Sequence, residues 1–269
     1  IIHMIKKKLF YSIIVLAVFN SCKFKKSNTV YDSFLEDESL AMYLTFNGDF
    51  NDKSNSRFNI YKGVAQFDKD RFKNENSAAY FTGKNYLSYG DILDSVFSGE
   101  KKRFSFSFWV KPSNENTNAF LISKNADSNC EENERQFNVK LTKENKISFL
   151  WLYNNSQFNG WRMFETQNIL KKEGWQNVII TYDGHSKGGD GIFRINIYIN
   201  GQRENLSFVS KRGRLGNIED KNAHFAIGIM ANSFGDPCAN SFFQGFLDDI
   251  MIFERVLTTN EIEYLSSLK

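Results

Sequence analysis

The chain has 269 residues, 41% of them hydrophobic, enough for a sizeable core, which excludes a disordered or low-complexity protein. Only two prolines but 27 phenylalanines favour many short strands joined by turns over a helical architecture. The formal net charge is +3, but residues 1–28 hold six lysines and no acid; taking those six from the 34 basic residues leaves 28 against 31 acidic ones, a net of −3 that gives no reason to expect a nucleic-acid surface.

At the N-terminus, "MIKKKLFYSIIVLAVFNSC" places Lys6, Lys7 and Lys8 before an apolar run from Leu9 to Phe19. That run is shorter than the ~20 residues of a spanning helix, so residues 1–21 are expected to be a secretion signal. The Ser21-Cys22 junction resembles that of bacterial lipoproteins, although Phe19 and Asn20 depart from the usual residues there. The resemblance implies lipidation of Cys22 and a membrane-anchored place in the cell envelope, periplasmic or at the surface. Residues 22–37 have mixed charge and no periodicity and read as a tether; residues 38–269 read as one domain.

Strand signals then come one after another: "AMYLTF", "SAAYFTG", "RFSFSFWVKP", "AFLISK", "RQFNVKL", "KISFLWLY", "WQNVIITYDG", "FRINIYING", "FAIGIMA" and "FQGFLDDIMIF". In "RFSFSFWV", Phe104, Phe106, Phe108 and Val110 share one face, and Ser105 and Ser107 lie on the other. Asn200-Gly201 supplies the two positive-φ positions of a type I′ hairpin. Thr258 followed by Glu261 makes a capping box for a short C-terminal helix carrying Ile262 and Leu265. The fold class is therefore all-β, a two-sheet jelly-roll sandwich with one terminal helix.

Cys130 and Cys238 form an even pair in polar loops of an exported chain, which predicts a bridge between them rather than two free thiols. In "QGFLDDIMIFERVL", period-two alternation puts Asp248 with Phe246, Ile250 and Ile252, and Asp249 with Leu247, Met251 and Phe253. Neither acid then has a wet side, and a buried carboxylate needs a partner or a cation.

The ordered set "LTFNGDFNDKSNS", "NSAAYFTGKNYLSYGD", "FSFSFWVKP", "GWQNVIITYDG", "INIYINGQ" and "GFLDDIMIFERVLTTNEIEYL" resembles the bacterial laminin G-like domains of the concanavalin A-like lectin/glucanase superfamily. The resemblance implies a jelly roll with a concave sheet presented to glycan or protein ligands, and a structural calcium. Carried onto this chain, the ion's ligands would be Asp248, Gly83 and the segment Asn47 to Asp52. Within it Asn47, Asp49 and Asp52 offer the oxygens that Ca²⁺ requires, though such residues also make ordinary turns. Asp249 would accept hydrogen bonds from the neighbouring turn.

Catalytic signals are missing. The alternating Glu-x-Asp-x-x-Glu of the superfamily's retaining glucanases is absent, and Glu131, Glu132 and Glu134 read as a solvated rim. His185 and His224 have no partner at a useful spacing, and "GHSKGG" lacks a phosphate-loop ending. A non-catalytic binding module is the expectation, with glycan the first ligand class and a protein of the envelope or exterior the alternative. "FLWLYNNSQFNGWRMFE" brings Trp151, Tyr153, Phe158 and Trp161 around one connection, and rings of this kind either stack on sugar faces or fill the core. Arg135, Lys124 and Asn232, at strand ends, would add polar contacts to the same rim.

Overall fold

Two antiparallel sheets of eight strands each form the molecule in a computed structural model that describes residues 34–113, 118–125, 130, 135–155, 158–220, 222–238 and 240–268. The first sheet has the order β13 (Gln202–Arg203), β12 (Ile195–Ile199), β11 (Gln176–Asp183), β6 (Arg103–Pro112), β16 (Gln244–Phe253), β4 (Ala78–Thr82) and β3 (Gln66–Asp68), with β1 (Leu40–Leu44) paired to β16. The second runs β14 (Leu206–Arg212), β10 (Phe158–Thr166), β9 (Ile147–Asn155), β8 (Arg135–Leu141), β7 (Ala119–Asn125), β15 (Phe225–Ile227), β5 (Tyr86–Ser88) and β2 (Lys62–Val64).

The alternation of β6 explains the sandwich. Phe104, Phe106, Phe108 and Val110 are fully buried between the sheets with Phe137 and Phe149 of the second sheet. The other face of the first sheet is covered as well. Helix α2 (Thr259–Ser267), started by the expected Thr258/Glu261 capping box, lays Ile262 and Leu265 over Ile179, Met251 and Phe253. Ser105 on that face accepts from Leu257 N–H at 3.0 Å and donates to the Arg255 carbonyl at 2.8 Å. Asn200 and Gly201, at φ 51° and 80°, turn β12 into β13 as expected. The domain begins earlier than the tether reading placed it: Phe34 is buried with its ring 5.6 Å from that of Phe253, and Asp37 pairs with Arg255.

The bridge between Cys130 and Cys238 is present, with Cα atoms 5.2 Å apart. It ties down the segment after β15 across the outer face of the second sheet, where Ile229 and Ala231 pack on Ala226 and Ser123 donates to the Ile229 carbonyl. A short helix, α1 (Asp94–Phe97), plugs one end of the sandwich by inserting Phe97 between Phe104, Phe106 and Phe137. A 3-10 helix (Gly189–Arg194) leads into β12. Among the described residues no helix is long and apolar enough to cross a membrane.

Strict alternation fails in β16. A register shift against β6 lies between Asp248 and Met251, and Asp249 has φ 46°. This is a bulge, which adds one residue and resets the faces. Leu247, Ile250 and Ile252 therefore all enter the inter-sheet core, while Met251 and Phe253 lie under α2. Both acids meet one guanidinium: Arg71 Nη1 is 2.6 Å from Asp248 Oδ2 and Arg71 Nη2 2.8 Å from Asp249 Oδ2. The three side chains are 2%, 0% and 2% exposed. Arg71 also donates to the Leu268 carbonyl and lies over the Trp109 ring, and Tyr43 donates to Asp249 Oδ1.

Candidate binding site

A cleft of about 600 Å³ opens where α1 meets the loop before β15. Lys124 of β7 organises it. Its side chain is fully buried, and an ammonium in that position needs partners on all sides. Its Nζ donates to Asp91 Oδ1 and to the Ala223 carbonyl at 2.6 Å, and forms an ion pair with Asp94 Oδ1 at 2.8 Å. The carboxyl of nearby Asp220 is pushed above the usual carboxylate range, first by the partial desolvation of its oxygens and then by hydrogen bonding to Asp94 and the Asp94 charge. Gln136 donates to Ser98 Oγ at 2.6 Å and to the Glu219 carbonyl at 2.9 Å, which fixes the two lips.

The remaining wall is Tyr153. Its ring lies so close to Gly160 and Gly216 that a Cβ on either would fall 2.2 Å and 2.4 Å from it, so both positions require glycine. The phenol is spoken for, donating to the Arg212 carbonyl and accepting from Arg162 Nη1, both at 2.7 Å. Asp94, Glu100, Glu219, Asp220 and the Asn217 amide thus face the cleft, and among the described residues that line it none is basic. Carboxylates and an amide beside an aromatic edge can accept and donate hydrogen bonds to a polyhydroxylated ligand.

The residues expected at a sugar rim are not brought together. Trp151 is fully buried among Phe149, Phe164 and Tyr182, a core residue, because β9 points it at the opposite sheet. Tyr153 reaches the cleft with 5% of its surface exposed. Trp161 lies half-buried on the other face of the sheet, donating to Ser210 Oγ at 3.1 Å. Asn232 is buried and closes a turn by accepting from Phe234 and Asp236 N–H. Lys124 belongs to the cleft, behind its carboxylates rather than at an exposed rim. The Arg135 and Phe158 side chains, the acids Glu131, Glu132 and Glu134, and Cys22 lie outside the described residues.

The calcium ligands inferred from family resemblance do not form a common set. Asp52 is buried, its carboxylate accepting from Tyr43, Ser54 and Phe58 N–H and from Ser54 Oγ. Asp49 pairs with Lys53, and Asn47 is exposed. Gly83 stands beside Gln244, four residues along β16 from Asp248, or roughly 13 Å of strand against a Ca–O distance of about 2.4 Å. Asp248 already faces Arg71. Among the described residues no group of three or more His, Cys, Asp or Glu side chains is placed to hold a metal ion.

These features define a class: a concanavalin A-like β-sandwich with a polar cleft at one end. Residues 81–263, more than half of the chain, match a laminin G family described as belonging to the concanavalin A-like lectin/glucanases superfamily, and the chain is a member of that superfamily. A search of curated protein sequences finds no match. Among solved structures, domain 4 of AbnA, an extracellular arabinanase from Geobacillus stearothermophilus solved with arabinotriose, is 18% identical with a TM-score of 0.51, over 85% of this chain and 98% of that one. The binding domain of Paraclostridial Mosquitocidal Protein 1 is 16% identical with a TM-score of 0.59, over 85% and 52%. The binding domain of botulinum neurotoxin DC, solved with rat synaptotagmin II, is 17% identical with a TM-score of 0.57, over 86% and 52%. The chain spans about half the length of these two toxin domains. At such identities the likeness is one of fold.

Proposed function

We propose that the protein is an exported, non-catalytic glycan-binding module, held in the bacterial cell envelope by a lipid on Cys22. The observation that carries the binding role is the cleft of Asp94, Asn217, Asp220 and Tyr153, in which the Asp94 carboxylate is fixed in place by the buried Lys124. Preset acceptors lose little freedom when a sugar hydroxyl arrives. The non-catalytic reading is supported by the absence from the sequence of the alternating Glu-x-Asp-x-x-Glu carboxylates of the retaining glucanases. The arabinotriose held by a domain of this fold makes arabino-oligosaccharides a sensible first probe.

A protein partner is the second reading. It is favoured by exposed apolar side chains at one sheet edge, where Tyr61 and Val64 are 63% and 65% exposed and Tyr61 lies against Gly235, next to the exposed Phe234. Titration calorimetry with arabinotriose and with soluble neutral polysaccharides separates the two. Asn217→Ala is expected to weaken glycan binding about tenfold, equivalent to about 1.4 kcal/mol. Binding of no glycan at millimolar concentration, or equal binding by the variant, would remove the glycan assignment. Globomycin sensitivity and mass spectrometry of the mature N-terminus test the anchor: an unlipidated chain beginning elsewhere would refute it.

A further inference from the structure

The Gly-rich stretch "DGHSKGGDG" serves no phosphate, yet its backbone is unusual. Gly188, Gly189, Asp190 and Gly191 all have positive φ, at 83°, 56°, 50° and 97°. Three are glycines, for which this is easy; Asp190 has to be held there. The hold comes from Arg162, whose side chain is 2% exposed. Its Nε donates to the Asp190 carbonyl at 2.9 Å and to the carboxylate at 3.0 Å, and Lys211 pairs with the second carboxylate oxygen. The Arg162 guanidinium also donates to Tyr153 Oη and to the Arg212 and Gly213 carbonyls, so the segment is fixed rigidly against the second sheet. Just beyond it stands Phe193, 63% exposed, its ring set against Gly189, where a Cβ would come within 3.0 Å of it.

Phe193 walls a second cleft of about 430 Å³, formed with the β12–β13 hairpin and the start of β14. Ile192 and Leu206 give it an apolar floor continuous with the core. Its polar lining includes Gln167, Arg203, Glu204 and Asn205. Glu204 is engaged by Asn168 through one oxygen, at 2.8 Å. The side chains of Gln167, Arg203 and Asn205 make no hydrogen bond or ion pair with any described residue. One guanidinium, one carboxylate and several amides leave the cleft balanced in charge, unlike the acidic cleft at α1, with which it shares no lining residue.

We propose that this cleft is a second carbohydrate-binding site that takes one neutral sugar residue, the Phe193 ring stacking on the sugar's C–H face while Arg203 donates to its hydroxyls and Glu204 and the amide carbonyls accept from them. The assignment rests on the reading of the protein as a glycan binder, but on none of the residues that line the first cleft. An exposed ring, presented rigidly beside uncommitted donors and acceptors, is what a neutral sugar requires; a charged ligand would leave either Arg203 or Glu204 opposed to it.

The test is a backbone amide chemical-shift map of the mature chain titrated with arabinotriose, mannotriose and cellotriose. At least one is expected to shift the amides around Gln167, Phe193 and Arg203 to Leu206. Phe193→Ala and Arg203→Gln, both at exposed positions, should weaken that response about tenfold, with the rest of the spectrum unchanged. Asp220→Asn, in the other cleft, should leave it intact. Persistence of the shifts in Phe193→Ala, their loss in Asp220→Asn, or no response at this cleft to any of the three sugars at millimolar concentration would overturn the proposal. Shifts confined to the α1 cleft would overturn it while sparing the first site, and shifts confined to the Phe193 cleft would do the reverse.

Discussion

Two clusters in this molecule join a buried cation to an excess of carboxylates, and they differ in access to water. Around Arg71 every participating side chain is sealed, at 2% exposure or less. Around Lys124 only the cation is sealed, while Asp91 and Asp94 keep 36% and 32% of their surface and Asp220 is exposed. The first cluster joins β16, the residues before β4 and the end of α2, and nothing can reach it. The second fixes acceptors at the mouth of a cleft. Charge excess alone therefore does not make a candidate site; contact with solvent is required as well.

This contrast can be broken most forcefully at Arg71. Arg71→Met leaves two buried carboxylates without their cation and is expected to cost about 3–5 kcal/mol in urea denaturation. Adding Asp248→Asn and Asp249→Asn to it should restore much of that loss, since the uncompensated charge is the penalty. Calcium and chelator should leave the melting temperature of the wild type unchanged; a calcium-dependent rise, absent in Asp248→Asn, would instead place a cation there.

Next in size is the disulfide. Reducing Cys130–Cys238, which spans 108 residues, should cost about 2–5 kcal/mol. Lys124→Met is expected to cost less than Arg71→Met, roughly 1–3 kcal/mol, because water can reach the carboxylates left behind. A cost equal to that of Arg71→Met would erase the distinction between sealed and open clusters.

The smallest effect is on pH dependence. The Asp220 carboxyl, exposed overall but with oxygens partly desolvated, is raised from an ordinary 3.8 first by that desolvation and then by Asp94, so the folded state holds a proton that the unfolded state has released. Stability should accordingly decline as pH rises from about 3.8 through the raised value, and Asp220→Asn should remove that decline. Glu261 behaves oppositely. The Arg255 hydrogen bond lowers its carboxyl, so the stability it contributes is present above its ordinary value of 4.5 and is lost as pH falls through the lowered one. Melting curves across this range for wild type, Asp220→Asn and Glu261→Gln check both signs.

Local signals made the frame legible from sequence. The Phe alternation of β6, the Asn200-Gly201 turn and the Thr258/Glu261 capping box each depend on neighbours a few residues away, and each is in place. The short or exposed strands β2, β3 and β14 carry too weak an alternation to stand out. The answer to the Asp248-Asp249 puzzle was hidden for two physical reasons. A bulge at a non-glycine residue leaves no mark in the alternation, and the partner, Arg71, is 177 residues away from Asp248. Trp151 was ambiguous because an aromatic ring serves a core as well as a sugar, and only the opposing sheet decides. Lys124 and Asp220 carry no motif; what makes them a site is the helix α1 that brings Asp94 between them.

Asp220→Asn offers the most direct test, because it removes one open carboxylate without emptying any core. Glycan affinity and melting temperature should be measured on the same preparation, with titration calorimetry at neutral pH against the tightest-binding neutral oligosaccharide. The expected result is at least an order-of-magnitude loss of affinity at the α1 cleft with a melting temperature within about 2 °C of wild type, since a surface change of this kind is worth less than ~0.5 kcal/mol. Unchanged affinity, or a loss of affinity that simply tracks a collapse in stability, would contradict the assignment of the open cluster as the binding site.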